Sequence, residues 1–351
     1  MKDNQVKIKT ESGDIVAASA PYIISASRAT DIPAFYSDWF FNRLDKEYCA
    51  WYNPFSGQKS YISFQNTRFI VFWSKNPKPL LTKLNYMEDK GINCYIQFTL
   101  NDYEREGFEP AVPPLSDRID TFKRLVDSLG FGRMIWRFDP LVLSDQVNED
   151  ALLSKIETIG NQLIGYTEKL VFSFADISNY FNVKRNFLSA RLKFQEWDET
   201  RMSGFAERIS NLNSELNWNF QLATCAERID LNLFGIAHNK CIDDDLIIRL
   251  AWRDEKLMKH LKVDIHEISP SLFGDIEIPL AAIRLDSTHY AIKTKINKDS
   301  GQRKMCCCID SKDIGQYNTC IHNCIYCYAN KWTDKVKANY CRHNFAAETI
   351  C

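Results

Sequence analysis

Three cysteines near the carboxyl end, Cys320, Cys324 and Cys327, are spaced C-x3-C-x2-C, with Tyr326 directly before the third. Thiolates at this spacing suit three corners of an iron–sulfur cube and leave the fourth iron without a protein ligand. That iron is then open to a small-molecule ligand. Zinc sites more often present C-x2-C pairs than a triplet, so a closed zinc site needs a further ligand such as Cys341 or His322. A closed iron–sulfur site is the third option. His322 itself reads better as a solvent-facing or supporting residue than as a ligand.

A second group of cysteines consists of Cys225, Cys241, Cys306 and Cys308, with Cys307 as the spare because alternate residues of an extended segment share a side. Four thiolates complete either a second [4Fe-4S] cluster or a zinc site. Buried free cysteines without any metal are the plain alternative. The chain has 12 cysteines, eight of them at or after Cys306. A reducing compartment disfavours disulfides, so metal ligation explains this crowding best.

The elements that must hold these residues alternate between strand and helix. Residues 1–20 suggest a hairpin, and residues 21–240 a run of strand–helix units. The apolar runs begin at Tyr22, Phe69, Cys94, Arg133, Lys169 and Asn217. Helices are expected after Thr30 or Asp31 as a cap, up to about Lys90, through Ile119–Leu129 and near 149–164, 199–215 and 243–253. Six such units imply a parallel sheet, read as a (β/α)6-type partial TIM barrel with its site at the carboxyl rim. An open doubly wound sheet is the competing layout. Residues 241–351 form a cysteine-rich segment expected to pack on that rim, with mixed strand and loop beyond Leu261.

Polar residues at or past the expected strand ends are the candidates for ligand chemistry. They are Arg28, Thr30, Asp31, Lys75, Asn76, Gln97, Thr99, Arg137, Asp139, Asp176, Gln221 and Glu227. Lys75 and Arg137 suit a carboxylate or phosphate, while Gln97 and Gln221 suit an amide or base edge. Structural ion pairs, Arg137 with Asp139 and Arg28 with Asp31, are the competing explanation.

A formal charge of −1 over 351 residues gives no global field for nucleic acid, so a nucleic-acid partner is left without support from charge. Lys293, Lys295, Lys298, Arg303 and Lys304 are read as a solvated face, and the aromatic residues as core. No apolar stretch approaches a membrane span, and the first residues lack a signal-peptide core, so the cytoplasm is the expected location.

Several segments carry a resemblance. They include Ile24 to Tyr36, Val71 to Pro77, Arg137-Phe-Asp139-Pro, Ala223-Thr-Cys225-Ala-Glu227, and Asp313 to Asn330. Together they resemble a prokaryotic family of unassigned function whose carboxyl end carries a cysteine cluster like that of radical S-adenosylmethionine (SAM) enzymes. Ala29, Cys307 and a long Cys241–Cys306 segment depart from that pattern. Phe72 to Pro77, Gln97 to Arg118 and Phe138 to Leu143 are also distantly similar to spore photoproduct lyase-like radical SAM proteins. In those the cysteine segment precedes the barrel strands; here it follows them, as in a circular permutation.

The resemblance implies a [4Fe-4S] cluster on Cys320, Cys324 and Cys327, with SAM on the open iron. It also implies an electron donor such as a flavodoxin or ferredoxin, and abstraction of hydrogen from an unidentified substrate. Arg28, Asp31, Lys75, Gln97, Arg137 and Asp139 would serve the reaction. Tyr326 would lie against the adenine, with Gln221 and Glu227 also on the cofactor. No Gly-Gly-Glu segment of the kind that holds the SAM amino group is present in the sequence. The rival expectation is a non-catalytic iron–sulfur or zinc protein serving electron transfer, sensing or structure.

Overall fold

The run Phe69-Ile-Val-Phe-Trp offers no polar face, so it belongs inside a sheet covered on both sides. The computed structural model, which describes residues 5–54, 56–268, 278–303, 305–331 and 333–351, puts it there. Lys304 of the basic group and part of the segment beyond Leu261 lie outside the described residues.

Strands β1 (Gln5–Lys9) and β2 (Ile15–Ser19) form the expected antiparallel hairpin. After β3 (Ile23–Ala26) come α1 (Ile32–Phe35) and α2 (Ser37–Asp45). Asp31 caps α1 by accepting from the Ala34 N–H at 3.0 Å, and Pro33 occupies its first turn. A second hairpin, β4 (Tyr48–Tyr52) and β5 (Lys59–Ser63), was not expected from the sequence. It joins the first in a sheet of order β1-β2-β5-β4.

The alternating units follow: β6 (Phe69–Ser74), α3 (Leu84–Asp89), β7 (Asn93–Thr99), α4 (Leu115–Leu129) and β8 (Met134–Leu141). Then come β9 (Leu143–Ser144), α5 (Glu149–Leu163), β10 (Lys169–Phe174), α6 (Phe181–Ser189) and β11 (Phe194–Gln195). The series ends with α7 (Glu199–Glu215), β12 (Gln221–Thr224) and β13 (Ala237–His238). Beyond these lie α8 (Asp244–Ala251), α9 (Glu255–Leu261), β14 (Val263–Glu267), β15 (Ile283–Arg284), β16 (His289–Lys293), β17 (Lys312–Asp313) and α10 (Thr333–Arg342).

Eight strands make one wholly parallel sheet of order β17-β3-β6-β7-β8-β10-β12-β13. The order runs one way, without the reversal of a doubly wound sheet. Only β17 breaks chain order: it arrives from the far end and pairs with β3 through Lys312–Ile24 and Asp313–Ser25. The sixth strand is shorter than expected, because Asn217 and Asn219 adopt left-handed backbone and delay it to Gln221.

Alternation along the strands gives each face its own core. Ile24, Ile70, Phe72, Ile96, Phe98, Trp136, Phe138 and Phe172 pack with α2, α4, α5 and α7. On the other face Ile23, Phe69, Val71, Tyr95, Ile135 and Val171 pack with Ile242, α8, α9 and Cys308. Above that second floor, toward the carboxyl ends, the same strands turn Ser25, Trp73, Gln97 and Arg137 inward.

Two helix glycines differ in a way the packing decides. A Cβ at Gly160 in α5 would lie 2.4 Å from the Trp218 ring, whereas one at Gly204 in α7 would meet nothing within 4 Å. Gly204→Ala should raise stability by roughly 1 kcal/mol through helix propensity. Gly160→Ala should instead lower it by about 1–3 kcal/mol through overpacking. Urea denaturation of the two variants checks the opposite signs.

Candidate metal centre

The cysteine loop leaves β17 at Asp313, whose carboxylate anchors it to the end of β3. That carboxylate accepts from Ser25 Oγ at 3.0 Å, Ser27 Oγ at 2.7 Å, the Arg28 N–H at 2.9 Å and the Gly315 N–H at 2.8 Å. The approach needs glycine at 315, since a Cβ there would fall 1.7 Å from Ser27 Oγ. Thr30 Oγ1 then accepts from the Gln316 N–H and lies 2.8 Å from Thr319 Oγ1, and Tyr36 donates to the Thr319 carbonyl. On the far side the Ile325 N–H donates to Phe108 O, and Asn186 donates to Ile325 O.

The fold therefore presents Cys320, Cys324 and Cys327 from one tied loop at the carboxyl edge of the sheet. Cys324 is buried and the other two are half-buried. Backbone N–H groups of His322 and Asp31 point at the Cys320 sulfur, and those of Ala329 and Asn330 at the Cys327 sulfur. Burial pushes the Cys320 thiol up to about 12 and raises Cys324 and Cys327 as well. Thiols in such a place become thiolates when a cation binds them. The donor set, three sulfurs with N–H groups aimed at two of them, fits an iron–sulfur cluster.

His322 is buried, not solvent-facing. Its Nε2 lies 2.8 Å from Asp31 Oδ2 and its Nδ1 lies 3.0 Å from the Ala111 carbonyl, so both ring nitrogens face protein acceptors. Asp31 also accepts from Ser74 Oγ at 2.7 Å and from the Lys75 N–H at 2.7 Å. Burial works against the Asp31 carboxylate, but His322 and these donors leave its pKa below the usual range. Asp31 thus ties the loop to α1 and β6. The Arg28–Asp31 pair that spacing allowed does not form among the described residues.

Lys75 reaches beneath the loop. Its Nζ donates to Glu109 Oε1 at 2.7 Å and to the Tyr326 hydroxyl at 2.8 Å. Tyr326 donates to the same carboxylate, while Asn101 Nδ2 lies 3.0 Å from the Tyr326 oxygen and 3.2 Å from Asp139 O. The Tyr326 ring packs edge-on to Tyr103. Burial opposes the Glu109 charge, yet Lys75 and Arg118 bring its pKa down to about 2.

A second set of expected residues gathers further along the edge. Arg137, fully buried, donates to Gln97 Oε1 at 3.1 Å, to Asp139 Oδ2 at 3.1 Å and to Cys241 Sγ at 3.3 Å. Gln97 spends its amide nitrogen on Cys241 O at 2.9 Å, so both ends of its side chain hold protein groups. Trp73 receives the guanidinium groups of Arg28 and Arg137 over its ring, at 5.4 and 5.2 Å. No hydrogen bond to the Arg28 guanidinium occurs among the described residues. Glu227 accepts from the Phe174 N–H at 2.9 Å, and burial raises its carboxyl to about 7. Gln221 is the exception. It begins β12, at the opposite end of the strand from the cysteines, and is exposed there, which corrects the rim position expected of it.

Two other features stand apart from this edge. Asp243, Asp244 and Asp245 bring carboxylate oxygens within 4.8 Å of one another, but Lys240 and Lys293 neutralise them and Asp243 caps α8. A cleft of about 310 Å³ between Phe35, Trp39, Pro79 and His343 opens on the outer surface.

A family model described as a domain of unknown function, DUF1848, matches residues 23–329, which span β3 through the third cysteine of the loop. The chain belongs to this family. The matched segment unites the DUF1848 sheet and the cysteine loop in one unit. No curated protein and no solved structure matches this chain.

Sequence reasoning passed over Glu109 and Asn101 in this DUF1848 member, whereas the supporting place of His322 was one of the two expected for it. Glu109→Gln tests the buried network. Glu109 has its pKa depressed on folding, so its contribution is present above about pH 4.5 and lost as pH falls toward 2. The wild type should exceed the variant by on the order of 3 kcal/mol at pH 7. Guanidinium denaturation at pH 7 and pH 3 should show that gap narrowing in acid; a constant gap would count against it.

Proposed function

We propose that this DUF1848 protein is a radical SAM-type enzyme holding a [4Fe-4S] cluster on Cys320, Cys324 and Cys327. The observation that carries the reading is the open character of the triplet. Neither fourth ligand available from the sequence is in position: His322 commits both nitrogens to Asp31 and Ala111, and Cys341 is exposed on α10. Three thiolates without a fourth leave one iron for SAM.

The strand order adds support. With β17 beside β3, the cysteine loop follows the strand that stands first in space, as the permuted partial-barrel reading requires. Six of the sheet's eight strands, β3, β6, β7, β8, β10 and β12, follow one another in chain order, which supports a (β/α)6-type reading.

When bound, cluster and SAM supply one-electron cleavage and hydrogen-atom abstraction, with the electron coming from a flavodoxin- or ferredoxin-type donor. The chain's own part is placement. Asp313, Asp31 and His322 hold the loop's geometry, and Lys75, Glu109 and Asn101 fix Tyr326 by its hydroxyl, leaving the half-buried ring as the surface for an adenine. Arg28, backed by Trp73 and without a hydrogen-bond partner among the described residues, is available to an anionic group such as the SAM carboxylate. Arg137 and Gln97 act through Cys241 and are positioning residues. Asp139, held by Arg137 and Ser173, and Glu227 are carboxyl groups at the carboxyl ends of the strands that could meet the substrate.

Anaerobic reconstitution followed by iron and sulfide analysis, dithionite reduction and detection of 5′-deoxyadenosine tests the reading. SAM should perturb the EPR signal of the reduced cluster, and Cys324→Ala should abolish both the signal and the product. A cluster indifferent to SAM, with no cleavage, would sink the enzyme and leave a non-catalytic metalloprotein. Arg28→Ala should weaken SAM binding by about 10-fold or more, the scale of one charge-assisted contact; unchanged affinity would remove Arg28 from that role.

A further inference from the structure

Four cysteines outside the loop converge from three segments. Cys225 follows β12, Cys241 follows β13, and Cys306 and Cys308 come from the stretch before β17. Cys225 Sγ lies 3.4 Å from Cys241 Sγ. Cys308 neighbours both Cys241 and Cys306, so the four sulfurs follow one another as a chain, with no three of them mutually within 4.8 Å. Cys307, between the last two, instead lies 3.7 Å from the Met305 carbonyl.

Donors surround the two buried sulfurs. Arg137 Nη1 and Asn239 Nδ2 each approach Cys241 Sγ to 3.3 Å. The N–H groups of Cys241 and Ile242 point at Cys308 Sγ from 3.2 and 3.4 Å. A neutral thiol is a weak acceptor. Ordinary core cysteines account for the burial, but not for a buried guanidinium and three further N–H groups aimed at sulfur. Metal-bound thiolates account for both.

We propose that Cys225, Cys241, Cys306 and Cys308 hold a single thiophilic metal ion of the zinc class, a second centre on the same edge of the sheet. A tetrahedral ion with bonds of about 2.3 Å keeps its thiolates ~3.8 Å apart, the scale of the 3.4 Å Cys225–Cys241 contact, and binding would draw the other, wider-spaced sulfurs in to that distance. Among the described residues no such contact joins Cys320, Cys324 and Cys327, the triplet assigned to a larger cluster. Binding a divalent ion displaces four thiol protons to solvent and leaves a net charge of −2 beside Arg28 and Arg137. The ion would pin the ends of β12 and β13 to residues 305–309, where the Ile309 N–H already donates to Ile242 O at 3.1 Å.

This inference is independent of SAM chemistry, and metal analysis separates the two. Protein purified anaerobically should carry about one zinc, or one iron without sulfide, besides the loop's cluster. That ion should be lost in Cys225→Ala with Cys241→Ala. It should remain in the triple Cys320→Ala, Cys324→Ala, Cys327→Ala variant and in Cys307→Ala. Should the double variant fail to fold, Cys306→Ala and thiolate-to-cobalt charge-transfer absorption of cobalt-substituted wild type give the answer. Wild type without a second metal, a metal that survives the double variant, or a Cys225–Cys241 disulfide in place of metal would overturn the site. Four extra irons with sulfide, lost in the double variant, would overturn the single-ion assignment.

Discussion

The contact on which the arrangement depends is the Asp313 carboxylate against the end of β3. It satisfies two serine hydroxyls and a backbone N–H from residues more than 280 positions earlier. Only this docking makes β17 the strand before β3 in space, and so brings the cysteine loop over the carboxyl edge. The entropy of closing so long a loop grows slowly with length, so a few well-made bonds and a parallel register suffice. Gly315 follows as a steric consequence, since any side chain there would strike Ser27.

Around that anchor three buried charges find opposite partners. Asp31 faces His322, Lys75 faces Glu109, and Arg137 faces Asp139. An uncompensated charge in such surroundings would cost several kcal/mol, so each pair is tied to both of its segments. The loop is thereby tied to β3, α1 and β6 by side-chain hydrogen bonds. The same burial raises the pKa of the loop's thiols, so binding of a cation there would release protons.

Much of the helical and strand content was legible because apolar spacing reports it directly. Ile119, Phe122, Leu125 and Val126 line the buried face of α4 as their spacing required. Asp31 caps its helix as read. The hairpin β4–β5 was not read, although aromatic residues flank a turn at Asn53-Pro54 and Gly57, and β17 is only a two-residue strand whose partner is remote. Gln221 was misplaced because its strand runs on to Thr224, so Gln221 opens the strand and does not reach its carboxyl rim.

The sequence alone determined the chemistry on offer: three cysteines at cluster spacing, four others in a second group, and polar residues clustered at strand ends. Residue type and local spacing are enough for that, since ligand chemistry and helical periodicity are properties of neighbours in the chain. Tertiary structure decided which of these residues meet. It joined Cys225 and Cys241 to Cys308, gave His322 to Asp31, drew Glu109 under Tyr326, committed Gln97 to Cys241 and left the Arg28 guanidinium unpaired among the described residues. Those choices rest on pairings between segments far apart in the chain, which periodicity cannot encode.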